Sequence, residues 1–423
     1  MKVLFVIASA LTMVSAASVT RADIVTDWND AALQAIRENR TTPPSASRAL
    51  AMLHLAMYEA INGLERTHEP YRIRYVPESA SKQAAASAAA RKVLSSLFPT
   101  NTPPFTALHT SVLSRVPRGK RKTIGIAWGN LVAERLLASR AGDGVTNVVA
   151  APVGTNVGSW VPTPPGFAAW LLPQWATVVP FAMEECAQFR PAGPPALDSE
   201  RWANDFNDVK AFGAAQGSTR TPDQSQIAQF WADGAGTETP PGHWNHIAQD
   251  VAAAVGNTLE ENARLFALLN MAMADAAICA WDAKYTYNNW RPVTAIRNAD
   301  LDGNDLTLSD TNWTSFIGTP PFPDYVSGHS TFSGAAATVL ALFYGTDEVP
   351  FTTGSDFLPG VTRSFTSFSQ AADEAARSRV YGGIHFQFAS DDGLTAGMGI
   401  GEWAFNNYLR RRPHFPFRIG RFE

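Results

Sequence analysis

Lysine and arginine side chains occur close together in "WDAKYTYNNWRP", where Lys284 and Arg291 are seven residues apart. On one continuous helix that spacing places two cations on the same face, nearly two turns apart. Two like charges on one face repel each other unless an anion lies between them. This segment taken alone also fits an ordinary solvated basic face.

A second group of reactive residues lies in "FPDYVSGHSTFSGAAATVLALFY". We expect a helix that begins near Ser330, so that its free backbone N–H groups attract an anion. Ser327 offers a hydroxyl, Gly328 lets the backbone approach a ligand closely, and His329 is a candidate acid or base. A capping Ser-Gly followed by a surface histidine explains the segment equally well.

The third group is "ARSRVYGGIHFQFASDDG", in which Arg379 and His385 are six residues apart. On an unbroken helix these side chains would diverge by roughly 120°. Gly382 and Gly383 predict a bend or a helix end that lets both face one centre. The alternative is a helix end with glycine at its cap and a histidine that packs behind it.

Together the three groups supply cations, a hydroxyl, a helix N-terminus and two histidines, which suits a tetrahedral or trigonal-bipyramidal oxyanion. Their order and spacing resemble the vanadium-dependent haloperoxidase and type 2 acid phosphatase (PAP2) superfamily, whose pattern is K-x6-RP, PSGH and SR-x5-H. The chain departs from it at Val326, where the family has proline. It also has Ala389, not the frequent aspartate, four residues after His385, with Asp391 and Asp392 slightly later, so the partner of that histidine is left open.

The resemblance implies a haloperoxidase that oxidises halide with hydrogen peroxide to hypohalous acid at a vanadate bound to His385. It implies that Lys284, Arg291, Ser327, Gly328 and Arg379 hold the vanadate oxygens, and that Lys284 and His329 take part in catalysis. The alternative is a PAP2-type phosphatase that acts on a phosphate ester in the same cradle, with His385 as nucleophile. Phosphate competes with vanadate for these groups. An exported oxyanion-binding protein without turnover would need no acid–base histidine.

Two aromatic residues favour the haloperoxidase. Trp281 and Phe322 match positions that, in a chloroperoxidase of this family, lie near the halide, and an apolar wall suits a poorly hydrated halide. The simpler interpretation is that both are core aromatics.

Helical periodicity dominates the chain, with no clear hairpin and no repeat. The sequence therefore predicts an all-α fold of packed helical bundles, in two four-helix-bundle-like halves with long ordered loops. Residues 142–195 predict one such loop. One helix is expected from about Leu259 to Trp290. We expect a single haloperoxidase-like domain at 23–423, with the catalytic motifs in 257–412.

The N-terminus reads "MKVLFVIASALTMVSAASVTRAD" and predicts a signal peptide at 1–22, hence a secreted or periplasmic protein. The net charge of -4 argues against nucleic acid as a partner, and no later apolar run predicts membrane insertion. Cys186 and Cys279 are either a disulfide or two isolated thiols. The oligomeric state, monomer or homo-oligomer, is left open.

Several other polar residues invite weaker interpretations. Asp275 and Asp282 either orient an arginine from behind or are ordinary helix charges, and the sequence favours neither. His243 and His246 have a zinc-like spacing without further ligands, so a helix start that packs on the long loops is preferred. The acidic stretch from Asn298 to Asp310 departs from the EF-hand order and is expected to be a polar turn.

Overall fold

The structure is a computed structural model that describes residues 23–74, 77, 79–150 and 154–413. Over these residues the chain forms thirteen α-helices and one two-stranded antiparallel hairpin, so the predicted all-α fold is confirmed. The first eight helices are α1 (Ile24–Glu38), α2 (Pro43–Glu65), α3 (Lys82–Leu97), α4 (Thr102–Arg115), α5 (Lys120–Ser139), α6 (Glu200–Phe212), α7 (Pro222–Phe230) and α8 (Thr239–Val255). The remaining elements are α9 (Leu259–Tyr287), α10 (Pro292–Arg297), α11 (Gly328–Tyr344), β1 (Phe351–Gly354), β2 (Thr362–Phe365), α12 (Phe368–Tyr381) and α13 (Gln387–Asn407).

Helix α9 is the centre of the molecule. It begins with a capping box in which Thr258 accepts the backbone N–H of Glu261 and the Glu261 side chain accepts that of Thr258. It is long and apolar enough to cross a membrane, but 94% of its apolar window is buried inside the fold. An all-round apolar helix in this position is a core helix.

Two groups of helices pack on α9. On the N-terminal side α2 packs on α9, on α3 and on α5. On the C-terminal side α11 packs on α9, α12 and α13, and α13 also packs on α9. The two predicted bundles therefore share α9.

The long excursion predicted at 142–195 contains one short 3-10 helix, Pro173–Thr177, and no α-helix or strand among its described residues. Its aromatics hold it in place: the rings of Trp160 and Trp170 lie 4.2 Å apart, and Trp170 lies 5.6 Å from Tyr285 of α9. This loop covers the end of α9 that carries the first motif.

Two predictions about local structure were wrong. The hairpin β1–β2 was missed because each strand has only four residues, too few for a clear alternation. Helix α9 ends at Tyr287, not near Trp290, because Asn288 adopts a left-handed conformation with φ 49°. Proline at position 292 then disfavours helix at Arg291, which has φ -85° and ψ 156°.

The signal-peptide prediction falls on residues 1–22, outside the described residues. The two cysteines are free; Cys279 is buried and Cys186 is half-buried.

Candidate active site

The three motifs meet at one buried centre, although they come from separate elements. Lys284 lies in the last turn of α9. Arg291 was predicted to lie on the same helix as Lys284, but it is instead the N-cap residue of α10. The loop before α11 brings Ser327, which is the N-cap of that helix. Arg379 ends α12.

The turn between α12 and α13 carries His385 to the same centre. The two glycines break the helix as predicted: α12 ends at Tyr381, and Gly383 has φ +76°. A Cβ at Gly383 would lie 2.2 Å from the backbone oxygen of Gly213, so only glycine fits this turn. His385 then precedes α13 by one residue of extended backbone, Phe386.

Lys284 is fully buried and its ammonium group is occupied by main-chain oxygens. Nζ donates to the carbonyls of Pro323 and Asp324, at 2.9 Å each, and to the carbonyl of Val326. These three acceptors use all three N–H donors of the ammonium group. In this structure Lys284 therefore holds the loop that leads into α11.

Arg291 is also fully buried and holds two further segments. Its Nε donates to the carbonyl of Phe322 at 2.8 Å, and its Nη1 donates to that of Ile384 at 2.7 Å. Nη1 also lies 3.1 Å from Nε2 of His385. Its Nη2 is buried without a hydrogen-bond partner.

Asp324 lies against the other ring nitrogen of His385. Its Oδ1 is 2.8 Å from Nδ1 of His385 and 3.9 Å from Nη1 of Arg291. Neither Asp391 nor Asp392 takes this place: Asp391 accepts from Gln387, and Asp392 accepts from the hydroxyl of Tyr325. Asp324 stands five residues before His329 in the second motif, but no spacing rule connects it to a histidine in the third.

Asp275 and Asp282 do not orient the arginines of this centre, which was one of the two roles considered for them. Asp275 accepts the backbone N–H groups of Phe181, Ala182 and Met183, because it faces the long loop and not the motifs. Asp282 pairs with Arg190 of the same loop at 3.2 Å.

Helix α11 directs its N-terminus into the centre and begins at Gly328, two residues earlier than predicted. The Ser327 hydroxyl accepts from the hydroxyl of Ser330 at 2.9 Å, which leaves its own proton free to donate. His329 is half-buried, and its Nε2 has no hydrogen-bond partner. Gly328 is buried beside the ring of Trp281.

Arg379 closes the far side of the centre. Its Nη1 donates to the carbonyl of Trp231 at 2.5 Å, and its Nε is buried without a partner. Burial lowers the pKa of this guanidinium to about 10, and the negative charge of Asp233 opposes the shift. Asp233 also lies 3.2 Å from Nδ1 of His243. The sequence analysis identified neither Asp233 nor Asp324 as a carboxylate of the site.

The centre has an excess of buried positive charge. Burial lowers the pKa of Lys284 well below its ordinary value and that of Arg291 to about 10, while Asp324 opposes both shifts. Burial also lowers the pKa of His329 and of His385, and neighbouring cations add to both shifts. Burial raises the pKa of Asp324 to about 7 against the effect of Arg291 and Lys284. Cations forced together in this way are stabilised by a bound anion.

Trp281 and Phe322 line the same centre. Their ring centroids are 5.0 Å apart, and Nζ of Lys284 lies 5.0 Å from the Phe322 ring and 5.9 Å from the Trp281 ring. Trp281 is buried and Phe322 is half-buried. The structure therefore brings all nine predicted site residues together: Trp281, Lys284, Arg291, Phe322, Ser327, Gly328, His329, Arg379 and His385.

The residues fit a vanadate or phosphate group. Nη2 of Arg291 and Nε of Arg379 are buried donors without partners, and the N-terminus of α11 and the Ser327 hydroxyl supply more. Unpaired buried donors are costly, and a tetrahedral oxyanion would satisfy several of them at once. His385 offers a ring nitrogen as a ligand atom.

Other polar clusters do not form a comparable site. No group of three or more His, Cys, Asp and Glu side chains within the described residues could hold a metal ion. His243 is buried against Asp233 and stacks on Trp231, whereas His246 pairs with Glu238 and Asp250. In the predicted polar turn, Asp302 accepts from Thr307 and from Trp202.

Comparison with known proteins agrees with this geometry. Residues 264–412 match the model of the second helical-bundle domain of vanadium chloroperoxidase (VCPO). Vanadium chloroperoxidase of Curvularia inaequalis is 27% identical over 477 aligned residues, which cover 85% of this chain and 78% of that protein.

Two solved structures are similar over most of their length. A bacterial vanadium-dependent iodoperoxidase is 29% identical with a TM-score of 0.81, over 92% of this chain and 98% of that one. A bacterial vanadium-dependent chloroperoxidase in its holo form is 18% identical with a TM-score of 0.67, over 86% and 92% of the two chains, and supports the fold alone.

Proposed function

Because the chain belongs to the vanadium haloperoxidase/PAP2-like superfamily, we propose that it is a vanadate-dependent haloperoxidase. Its reaction would be the oxidation of a halide by hydrogen peroxide to hypohalous acid. The observation that carries the proposal is the set of unpartnered buried donors on Arg291 and Arg379, which face one centre together with His329 and His385.

The residues around the centre have separate tasks. Nε2 of His385 would bind vanadium. The two guanidinium groups, the Ser327 hydroxyl and the Gly328 N–H would bind the oxygens. Bound vanadate supplies Lewis-acid activation of the peroxide without a change of its own oxidation state. The excess of buried positive charge stabilises the negative charge of the bound group.

His329 is the proposed acid–base residue. Its Nε2 is free of partners in the structure, and burial and the charge of Arg379 lower the pKa of the ring, so that the ring is neutral and has a free lone pair before the reaction begins. It would take a proton from the incoming peroxide and return one to the leaving hypohalite.

Lys284 requires a more specific role. Its three N–H groups donate to the carbonyls of Pro323, Asp324 and Val326. Its first role is therefore to hold the loop that leads into α11. Its positive charge still adds to the field at the centre. Direct polarisation of the bound group would need one of these hydrogen bonds to be exchanged.

Trp281 and Phe322 would form the halide pocket. Their rings provide an apolar wall next to the Lys284 ammonium, and a large, weakly hydrated halide gains from both. The relatives named above include a chloroperoxidase and an iodoperoxidase, so chloride, bromide and iodide should all be tested.

The second candidate function is phosphate-ester hydrolysis in the same cradle. The contact between Asp324 and Nδ1 of His385 favours it, because a histidine with a carboxylate on one nitrogen is a good nucleophile at the other. In that reaction His329 would protonate the leaving group.

One experiment separates the two reactions. Phosphate-free mature protein is assayed for monochlorodimedone halogenation with peroxide and each halide, with and without orthovanadate, and for p-nitrophenyl phosphate hydrolysis. Vanadate-dependent halogenation that phosphate inhibits supports the proposal. Hydrolysis that vanadate inhibits, without any halogenation, would replace it with the phosphatase.

The location of the protein is proposed from its sequence. We propose export through the N-terminal signal peptide, with cleavage before Asp23. N-terminal sequencing of the protein recovered from the medium or the periplasm tests this; retention of residues 1–22 would contradict it.

A further inference from the structure

Asp324 is buried between two groups of the candidate site. Its Oδ1 lies 2.8 Å from Nδ1 of His385 and 3.9 Å from Nη1 of Arg291, and both side chains of the Arg291–Asp324 pair are fully buried. Nδ1 of His385 and both carboxylate oxygens of Asp324 are buried and make no hydrogen bond to any other described residue, so the ion-pair contact between them is the one that links the two groups. The carboxylate is therefore the natural acceptor for a proton on that nitrogen.

The other ring nitrogen of His385, Nε2, faces a hydrogen-bond donor, whereas Nδ1 faces an acceptor. Nε2 of His385 lies 3.1 Å from Nη1 of Arg291, and a guanidinium can only donate. Nε2 must therefore present its lone pair in this arrangement. The single ring proton of neutral His385 then belongs on Nδ1, opposite Asp324.

We propose that Asp324 is a positioning residue, which fixes His385 as the Nδ1–H tautomer and so leaves the lone pair on Nε2, the ring nitrogen next to Arg291 at the oxyanion centre. The inference rests on the proposed function only in taking Nε2 as the atom that binds the vanadium. It also assigns Asp324 the second task of holding the Arg291 guanidinium next to that atom.

Asp324 is itself held firmly enough to perform this role. Its backbone N–H donates to the carbonyl of Asn289 at 2.9 Å, and its own carbonyl accepts from Lys284 at 2.9 Å. Burial raises the pKa of its carboxyl group, and the nearby Asn289 side chain and Phe386 backbone N–H oppose this rise. One residue thus connects the first and third motifs through the loop of the second.

Ligand histidines generally donate their second N–H to a carboxylate or a carbonyl, and loss of that partner weakens binding about 10–100-fold. In this chain the partner comes from the loop before α11 and not from α13. Asp391 and Asp392, the carboxylates closest in sequence to His385, are bonded elsewhere.

The test uses the full mature protein with histidines labelled with ¹⁵N. Long-range ¹H–¹⁵N spectra identify the tautomer of each ring, and His385→Gln assigns the signal of His385. Vanadate and inorganic phosphate affinities are measured by calorimetry on wild type, Asp324→Ala and Asp324→Asn. Asp392→Asn is the matched control, because that carboxylate contacts Tyr325 and not His385.

We expect wild type and Asp392→Asn to show His385 with the proton on Nδ1. Asp324→Ala should lose this single tautomer and bind both oxyanions about 10–100-fold more weakly. Asp324→Asn keeps an oxygen acceptor, so it should keep the tautomer and bind with intermediate affinity. If Asp324→Ala does not fold, the comparison of Asp324→Asn with wild type decides by affinity alone.

An unchanged tautomer and unchanged affinities in Asp324→Ala would overturn the inference. So would an Nε2–H ring in the wild type. Failure of the proposed function gives another pattern: wild type would show no vanadate-dependent halogenation, while the tautomer and the phosphate affinity would still depend on Asp324.

Discussion

Trp281 and Phe322 face each other with ring centroids 5.0 Å apart, one from the end of α9 and the other from the loop before α11. The Arg291 guanidinium lies 4.9 Å from the Phe322 ring, on which Lys284 also packs. The same aromatic ring thus contacts two cations of the candidate site and borders the proposed halide pocket. Its removal should affect halide binding more than vanadate binding.

We predict that Phe322→Ala raises the KM for halide about fivefold and leaves the vanadate affinity nearly unchanged. The physical reason is the loss of an apolar wall and of cation–π contacts worth about 1 kcal/mol. Steady-state halogenation at varied bromide, with vanadate calorimetry, checks this. Phe351→Ala in β1 is the control, since that half-buried ring packs on Phe365 and Phe368. A halide KM equal to that of the control would contradict the pocket assignment.

Lys284→Gln should destabilise the fold as well as weaken oxyanion binding. The ammonium satisfies three buried carbonyls, and a glutamine amide has only two N–H donors to offer them. We expect a loss of roughly 3 kcal/mol or more in the free energy of unfolding. Urea denaturation measures it. Lys82→Gln, which removes partly exposed pairs with Glu65 and Glu260, should cost less than about 1 kcal/mol.

Equal losses in these two lysine variants would show that the Lys284 hydrogen bonds do not organise the loop. Loss of oxyanion affinity in Lys284→Gln without a loss of stability would instead assign this lysine to the ligand alone.

The residues of the candidate site could be predicted largely because their motifs are local. Ser327, Gly328 and His329 stand next to each other at a helix start, and the glycine pair after Tyr381 marks the break that redirects the chain to His385. Helix type also followed from long apolar periodicity. Such signals depend on neighbours in sequence, which a single chain displays directly.

The contacts between motifs could not be predicted in this way. Asp324 meets His385 only after two helices and a hairpin have folded, and no periodicity reports that meeting. Arg291 was placed on α9 because Asn288 in a helical stretch gives no certain sign of a left-handed cap. The role of Lys284 in holding main-chain carbonyls depends on a loop conformation that the sequence does not specify.

His329→Ala should separate binding from catalysis. The ring offers an unpartnered Nε2 but makes no hydrogen bond that holds another motif, so vanadate affinity should change little. Loss of acid–base assistance should lower kcat about 10²–10⁴-fold. Calorimetry and halogenation rates measure the two effects, with His246→Gln as control. Unchanged activity would remove His329 from the mechanism.

His246 should make the stability of the fold dependent on pH in the alkaline range. Its ring lies 3.6 Å from Glu238 and 3.6 Å from Asp250. The contact with the Glu238 carboxylate raises the pKa of His246 to about 9, against the effect of burial, and Asp250 adds to the rise. Because the folded pKa exceeds the unfolded value of about 6.5, the stabilisation is complete below pH ~6.5. It is lost as the pH rises through about 9.

The free energy of unfolding of the wild type should therefore fall between pH 6.5 and 9, and His246→Gln should flatten this decline. The ring is half exposed, so the difference should be at most about 1 kcal/mol. Urea denaturation at several pH values measures it. Lys92→Gln removes an exposed pair with Glu134, which involves neither His246 nor its partners, and should keep the wild-type slope. A His246→Gln profile parallel to that of the wild type would show that the ring carries no proton-linked stability.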